Sequence, residues 1–331
     1  SAAVDSAAEA YLSARFLGAP GALALLAIGG WLIGVGRTRA LLVVHGVFSG
    51  TNVLLDGVFV LGFGWGVLGV GAATAIAEAV ASIVGMAIIF RGVAAEGGWA
   101  PGTWARSTLF DGAALRRLGS VNRDLMIRSW GLLVGMAWFI NSGARHGTAV
   151  LAGNHVLVQL ISLWAFVLDA WAFTAEAEVG RAVGVGSLDR LRRALRVTGE
   201  LALASGLAFA VLTALAGPTV IAYVVADPDA RATAVRFLPH CAAVPFVGAV
   251  AWLLDGVFIG ATRSRALRNA SLAALLLYLG LDAALVRAWG PDGTWLAFVG
   301  FYAARGAALA VAYPALERDL RRSDIRVSPN S

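Results

Sequence analysis

Apolar stretches of about 20 residues, long enough to cross a hydrocarbon core roughly 30 Å thick, follow one another along almost the whole of this chain. That feature removes most alternatives. Within a bilayer every backbone N–H and C=O must be paired inside the protein, so such segments are helices. A transmembrane β-barrel would instead show short segments of alternating polarity. Nine spans can be drawn, near 16–36, 41–62, 66–90, 124–143, 148–180, 190–216, 236–261, 267–288 and 293–316. Composition agrees, with 59% of the 331 residues hydrophobic and only 14% charged; a soluble domain carries about 25% charged residues. The expected fold class is an all-α integral membrane protein.

The net charge of +6 arises wholly from arginine, because the chain has no lysine. A basic balance can signal nucleic acid, but these arginines stand in short clusters between apolar runs. They therefore speak for topology, and no nucleic-acid partner is expected. Clusters at Arg37 and Arg39, Arg91 to Arg117, Arg190 to Arg196, Arg263 to Arg268 and Arg318 to Arg326 alternate with arginine-poor connections at 62–66, 143–147, 227–231 and 290–293. By the positive-inside rule the clusters are cytoplasmic, as is the C-terminus of this multi-pass protein of a plasma or inner membrane. The single cysteine, Cys241, excludes a disulfide or cysteine metal site within one chain. The first 14 residues show no signal-peptide core.

The connection from about 92 to 120 is the one long break, with Gly97, Gly98, Pro101 and Gly102 opposing helix. Asp111 is expected to cap a short interfacial helix carrying Leu115 and Leu118 beside Arg116 and Arg117. The resulting division is a three-helix segment at 1–95, a cytoplasmic linker at 96–120, a six-helix lobe at 121–320 and a cytoplasmic tail at 321–331. An internal repeat supports this. Arg15-Phe16-Leu17 matches Arg236-Phe237-Leu238, and Trp31 matches Trp252, at an offset of 221. Arg37-Thr-Arg-Ala-Leu41 matches Arg263-Ser-Arg-Ala-Leu267, and Leu55-Asp56 matches Leu281-Asp282, at an offset of 226. Such repeats mark transporters. The second copy has three spans ahead of the aligned region and the first has none, so roughly 110 residues and three spans are expected to be missing at the N-terminus.

Polar residues within spans are costly and point to function. Asn52 and Asp56 are four apart and share a helix face. Asp56 stands nine residues before the hairpin centre near Trp65 and Thr74 nine after it, so each lies about 13 Å deep. An amide, a carboxylate and a hydroxyl suit a hard cation or a proton. The following span holds no arginine, only Glu78, which leaves Asp56 without a permanent counter-ion. Its repeat mate Asp282 has Arg305 on the next helix as an expected ion-pair partner. Asp169, Glu176 and Asp255, with Asp282, are expected to make a cavity acidic and favour cationic cargo, against a helix-packing role for each. Glu178 reads as a solvated end charge. Asn122-Arg123-Asp124 is expected to open a helix, as cap or cytoplasmic gate. His45 reads as a lone interfacial histidine. Gly30-x-x-x-Gly34, Gly46-x-x-x-Gly50 and Gly256-x-x-x-Gly260 permit close helix packing. Gly64-x-Gly66-x-x-Gly69 imitates a dinucleotide fingerprint but lies in a membrane hairpin without the acidic partner that motif needs.

The segments Tyr11-Leu-Ser-Ala-Arg-Phe-Leu-Gly-Ala-Pro20, Asn52-Val-Leu-Leu-Asp56, Gly62-Phe-Gly-Trp-Gly66, Asn122-Arg-Asp-Leu125 and Phe173-Thr-Ala-Glu-Ala-Glu-Val-Gly180 resemble the multidrug and toxic compound extrusion (MATE) family, in particular its DNA-damage-inducible F (DinF) branch. The resemblance spans about 4 to 320. It implies twelve helices in two six-helix lobes, of which this chain would carry nine, from helix four to helix twelve. It implies a secondary transporter that exports cationic or amphipathic small molecules in exchange for protons or sodium ions by alternating access. No cofactor is implied, nor any metal beyond sodium, and the working unit would be a monomer among membrane lipid. The family's cation site uses an Asn and an Asp four apart on helix five and a Thr on helix six, which Asn52, Asp56 and Thr74 match. A further Asp from helix one belongs to that site and has no counterpart here. Helix seven, 125–141, lacks the acid that some members use, while Asp255 on helix ten is available.

Two other classes compete. A lipid or oligosaccharide flippase of related architecture would line its cavity with arginine. A membrane-embedded enzyme would need a nucleophile or metal cluster, which four scattered histidines do not supply.

Overall fold

The apolar runs become nine long helices in the computed structural model, which describes residues 2–99, 105, 107 and 110–327. They are α1 (Ala2–Gly34), α2 (Thr38–Asp56), α3 (Gly66–Ala95), α4 (Gly112–Ala144), α5 (Thr148–Gly184), α6 (Leu188–Val224), α7 (Pro228–Gly260), α8 (Ser264–Trp289) and α9 (Pro291–Val327). After Asp56 the second helix widens into a π-helical turn, Gly57–Gly62, closed by the Phe63 N–H donating to the Val58 carbonyl at 2.9 Å. Eight of the nine are long and apolar enough to cross a membrane. The exception, α4, is as long as α1, but Arg116, Arg117, Arg123, Asp124 and Arg128 make it more polar. Pro101, Gly102, Arg106 and the tail residues 328–331 lie outside the described residues.

The chain forms two compact units, Ser1–Asp111 and Gly112–Ser331. In the first, α1 and α2 pack on α3 around Ile28, Leu32, Val44, Ala81 and Ile89. In the second, α7 is the most enclosed helix, packed by α5, α6 and α9, while α8 lies against α9 and α4. Two apolar clusters fill this unit, one around Phe139, Phe237, Trp295 and Phe298, the other around Val257, Phe258, Leu267 and Leu309. Large apolar side chains such as Leu17, Leu61 and Val311 remain on the outside. That is a liability in water but the ordinary state of a helix facing lipid.

Two expectations about the linker are corrected. No separate short helix follows Asp111, because α4 runs unbroken from Gly112 to Ala144. Ala113-Ala-Leu-Arg-Arg-Leu118 are strong helix formers with no proline to end the helix before the span begins. Consequently Asn122-Arg123-Asp124 sits inside a helix and does not open one.

The repeat is visible in the backbone. The N–H groups of Gly36 and Arg37 donate to the carbonyls of Ile33 and Leu32, and those of Thr262 and Arg263 donate to Ile259 and Phe258, all at 2.8–2.9 Å. Both turns have the helix-ending geometry that calls for a left-handed residue. Gly36 supplies it with φ 71°, and Thr262, 226 positions later, with φ 55°. Arg37 then pairs with Glu96 beyond the end of α3, and Arg263 with Asp319 near the end of α9 at 2.6 Å.

Of the glycine pairs, only Gly256 and Gly260 pack closely. A Cβ on either would collide with a backbone carbonyl of α5, that of Ala172 or of Glu176. Gly30, Gly34, Gly46 and Gly50 have nothing within 4 Å of such a Cβ, so the close-packing expectation fails for them among the described residues.

Candidate cation and substrate sites

The approach of α7 to α5, permitted by Gly256 and Gly260, brings Asp255 beside Asp169 and Glu176. All three line one cavity of about 360 Å³ in the second unit, together with Arg128 of α4 and Arg305 of α9. Phe173, Trp252, Phe298, Phe301 and Tyr302 supply aromatic walls. Asp255 is 6% exposed. One of its oxygens accepts from both Arg305, at 2.7 Å, and Arg128. Its other oxygen, and the Nε atoms of both arginines, have no partner among the described residues. The Arg305 guanidinium also lies over the Phe301 and Tyr302 rings, at 5.8 and 5.7 Å. Neither Asp169 nor Glu176 forms an ion pair among the described residues.

Arg305 therefore pairs with Asp255 and not with Asp282, which corrects the sequence expectation. Helix arithmetic gives the reason. Asp282 stands eight residues before Gly290 and Arg305 fifteen after it. The seven-residue mismatch puts them about 10 Å apart in height on the α8–α9 hairpin. Asp282 does not line the cavity. It is 4% exposed and accepts from the Trp138 Nε1–H at 2.7 Å and the Ser142 hydroxyl at 3.2 Å. The Ser142 and Thr294 hydroxyls are 3.1 Å apart.

Asp124, expected as a cap or gate, caps no helix start and is buried between α4 and α8. It accepts from Arg268 at 2.6 Å and from the Ser264 hydroxyl at 3.1 Å, with Arg123 at 3.5 Å. It borders an open groove of about 920 Å³ with Arg117, Arg263 and Arg265. Asn122 is exposed on the helix surface.

In the first unit, Asn52 and Thr74 join α2 to α3. The Asn52 amide donates to the Thr74 hydroxyl oxygen at 3.2 Å, and that hydroxyl donates to the Val70 carbonyl at 2.9 Å. Asp56, one turn further along α2, closes the regular helix where the π-helical turn begins. One of its carboxylate oxygens is buried and without a partner among the described residues, and neither Asn52 nor Thr74 bonds to it. Glu78 is held by Arg15 through two bonds, at 2.9 and 3.0 Å. The described residues hold no cluster of three or more His, Cys, Asp and Glu side chains suited to a metal ion.

Sequence reasoning passed over Arg15, Arg128, Trp138 and Ser142. Arg15 was visible as a repeat anchor. Arg128 was visible as the one charge inside the stretch 125–141. Trp138 and Ser142 carried no signal, because an indole and a hydroxyl near a helix end have ordinary interfacial uses.

The described residues form nine long helices, eight of them long and apolar enough to cross a membrane, with carboxylates buried among them, as in an integral membrane protein. The chain belongs to the MATE family and is a secondary transporter, not an enzyme. The MatE family model matches residues 126–283. Over 322 residues the chain is 35% identical to the DNA damage-inducible protein F of Escherichia coli strain K12, covering 95% of this chain and 67% of that protein. The fold is similar to that of the Vibrio cholerae MATE transporter VcmN in the bent form, with a TM-score of 0.79 at 19% identity, over 96% of this chain and 70% of that one. A MATE structure in complex with MaD5 gives a TM-score of 0.81 at 17% identity, over 95% and 69% of the two chains.

Proposed function

We propose that this transporter exports organic cations in exchange for protons or sodium ions, with Asp56 as the carboxylate that carries the coupling ion. The observation behind this reading is the buried, unpartnered oxygen of Asp56. Among the described residues it forms no ion pair, whereas Glu78 on the neighbouring helix is neutralised by Arg15. A carboxylate without a guanidinium gains most from taking up a proton or cation, because a lone charge in a low-dielectric site is costly. The Thr74 hydroxyl is engaged by Asn52 and Val70. That leaves the Asn52 carbonyl and the two Asp56 oxygens to coordinate sodium, while a proton needs only one of them.

The cavity beside α5 supports the choice of cargo. It holds Asp169, Glu176 and Asp255 against Arg128 and Arg305, with both guanidinium groups directed at Asp255. Two carboxylates remain to face a cation, and the aromatic walls add cation–π attraction. An arginine-lined cavity was the expectation for a flippase of anionic lipids, but here the charges leave a formal excess of one carboxylate. Lipid surrounds the protein, and the arginine clusters favour a cytoplasmic C-terminus.

The test is Asp56→Asn, assayed as dye extrusion driven by an imposed proton or sodium gradient. Coupled efflux should be abolished with insertion and folding intact. Undiminished extrusion by the variant would refute the assignment, and the gradient that drives the unmodified protein identifies the ion.

A further inference from the structure

Four carboxylates are buried among the described residues: Glu78, Asp124, Asp255 and Asp282. Three of them have guanidinium partners. Glu78 has Arg15, Asp124 has Arg268, and Asp255 has Arg128 and Arg305. Asp282 forms no ion pair among the described residues, and its partners, Trp138 and Ser142, are neutral. The same offset of 226 that places Asp56 on Asp282 places Asn52 on Tyr278. Tyr278 is fully buried, at 0% exposure, and its hydroxyl has no hydrogen-bond partner among the described residues. Each repeat thus carries an acid without a guanidinium, one turn beyond a polar side chain on the same helix face.

The hydroxyls around Asp282 accommodate either charge state. The Ser142 and Thr294 oxygens are 3.1 Å apart and either can be the donor. With the carboxylate ionised, Trp138 and Ser142 donate to it and Thr294 donates to Ser142. Trp138 and Ser142 meet at one carboxylate oxygen, at 2.7 and 3.2 Å, and Ser142 lies 3.4 Å from the other. With a proton from water on that other oxygen, the carboxyl O–H donates to Ser142, which turns its own hydrogen to Thr294, while Trp138 keeps the oxygen it already holds. No hydrogen bond is lost in the exchange. Ser142 lies two residues before the end of α4 and Thr294 in the first turn of α9, so both hydroxyls stand at helix ends.

The ionisable groups nearby do not fix the charge. Arg145, just beyond α4, stacks over the Trp138 ring at 5.8 Å. Asp292 at the start of α9 is paired with Arg236 of α7. His146 beyond α4, His240 of α7 and Arg287, five residues further along α8, form no ion pair with Asp282 among the described residues; the other ionisable groups on α8 are Arg265, Arg268, which pairs with Asp124, and Tyr278. We propose that Asp282 is a second reversible proton-binding site, in the six-helix unit, independent of the role assigned to Asp56.

The test is infrared difference spectroscopy of the purified protein in lipid, between alkaline and acid buffer, following the carbonyl stretch of protonated carboxyl groups. A titrating band should be present in the unmodified protein, absent in Asp282→Asn and retained in Asp56→Asn. Trp138→Phe and Ser142→Ala keep the carboxyl and should shift the midpoint of that band without removing it. Identical spectra for the unmodified protein and Asp282→Asn overturn the proposal. If Asp282→Asn does not fold, an unmoved midpoint in both Trp138→Phe and Ser142→Ala overturns it equally.

Discussion

The Arg305 guanidinium donates to Asp255 at 2.7 Å, and the same carboxylate oxygen receives Arg128 from another helix, so one buried acid holds α4, α7 and α9 together. The arrangement makes the acid a greater liability to lose than either base. Asp255→Ala should leave two buried guanidinium groups uncompensated and cost about 3–5 kcal/mol. The readout is the melting temperature in detergent. Replacing Arg128 and Arg305 by Met in the same background should recover most of the loss, and failure to recover would show that the carboxylate acts through something besides these two partners.

Close packing of α7 on α5 should be equally sensitive. Gly260→Leu would drive a side chain into the Glu176 carbonyl and is expected to destabilise by about 3 kcal/mol. It should also disturb the cavity that Glu176 and Asp255 share. Gly46→Ala, inside α2 where a Cβ meets nothing within 4 Å, should not destabilise and should raise stability by about 0.5–1 kcal/mol. Thermal unfolding of the two variants side by side checks both.

Thr262 occupies the left-handed position that Gly36 fills in the first repeat. A β-branched residue there costs about 1–2 kcal/mol, which glycine would relieve, less its greater unfolded-chain entropy of about 0.5–1 kcal/mol. Thr262→Gly should therefore raise the melting temperature slightly, and Gly36→Thr should lower it. A decrease in Thr262→Gly would mean that the Thr262 side chain makes a contact that outweighs its backbone strain.

The Asn52–Thr74 bond can be separated from the carboxylate it adjoins. Thr74→Val removes the acceptor for the Asn52 amide, a loss of about 1 kcal/mol that should slow coupled transport about fivefold to tenfold. Thr74→Ser keeps the hydroxyl and should transport normally. Rates measured against a fixed gradient decide it, and equal rates for Val and Ser would remove Thr74 from the site.

Much of the architecture was legible because it rests on local rules. Length and apolarity mark a span without knowledge of its neighbours, and the Arg37 and Arg263 turns repeat in sequence and in backbone geometry alike. What escaped was pairing across helices. Asp124 looked like a cap because Asn122-Arg-Asp124 precedes an apolar run, yet helix formers from Ala113 onward carry α4 straight through it. Arg305 looked like the partner of Asp282 because the two helices are consecutive, although their distances from the hairpin turn already forbade it.

The sequence by itself determined that this chain is helical and membrane-spanning, where its turns fall, and that Asp56 and Asp282 are repeat mates. It does so because hydrocarbon imposes the same demand on every residue it touches, and a period of 3.6 residues records the answer locally. Only the tertiary structure decided which buried acids are neutralised. That depends on the height and rotation of one helix against another, which side-chain volumes at contacts such as Gly256 against Ala172 set and no single segment encodes.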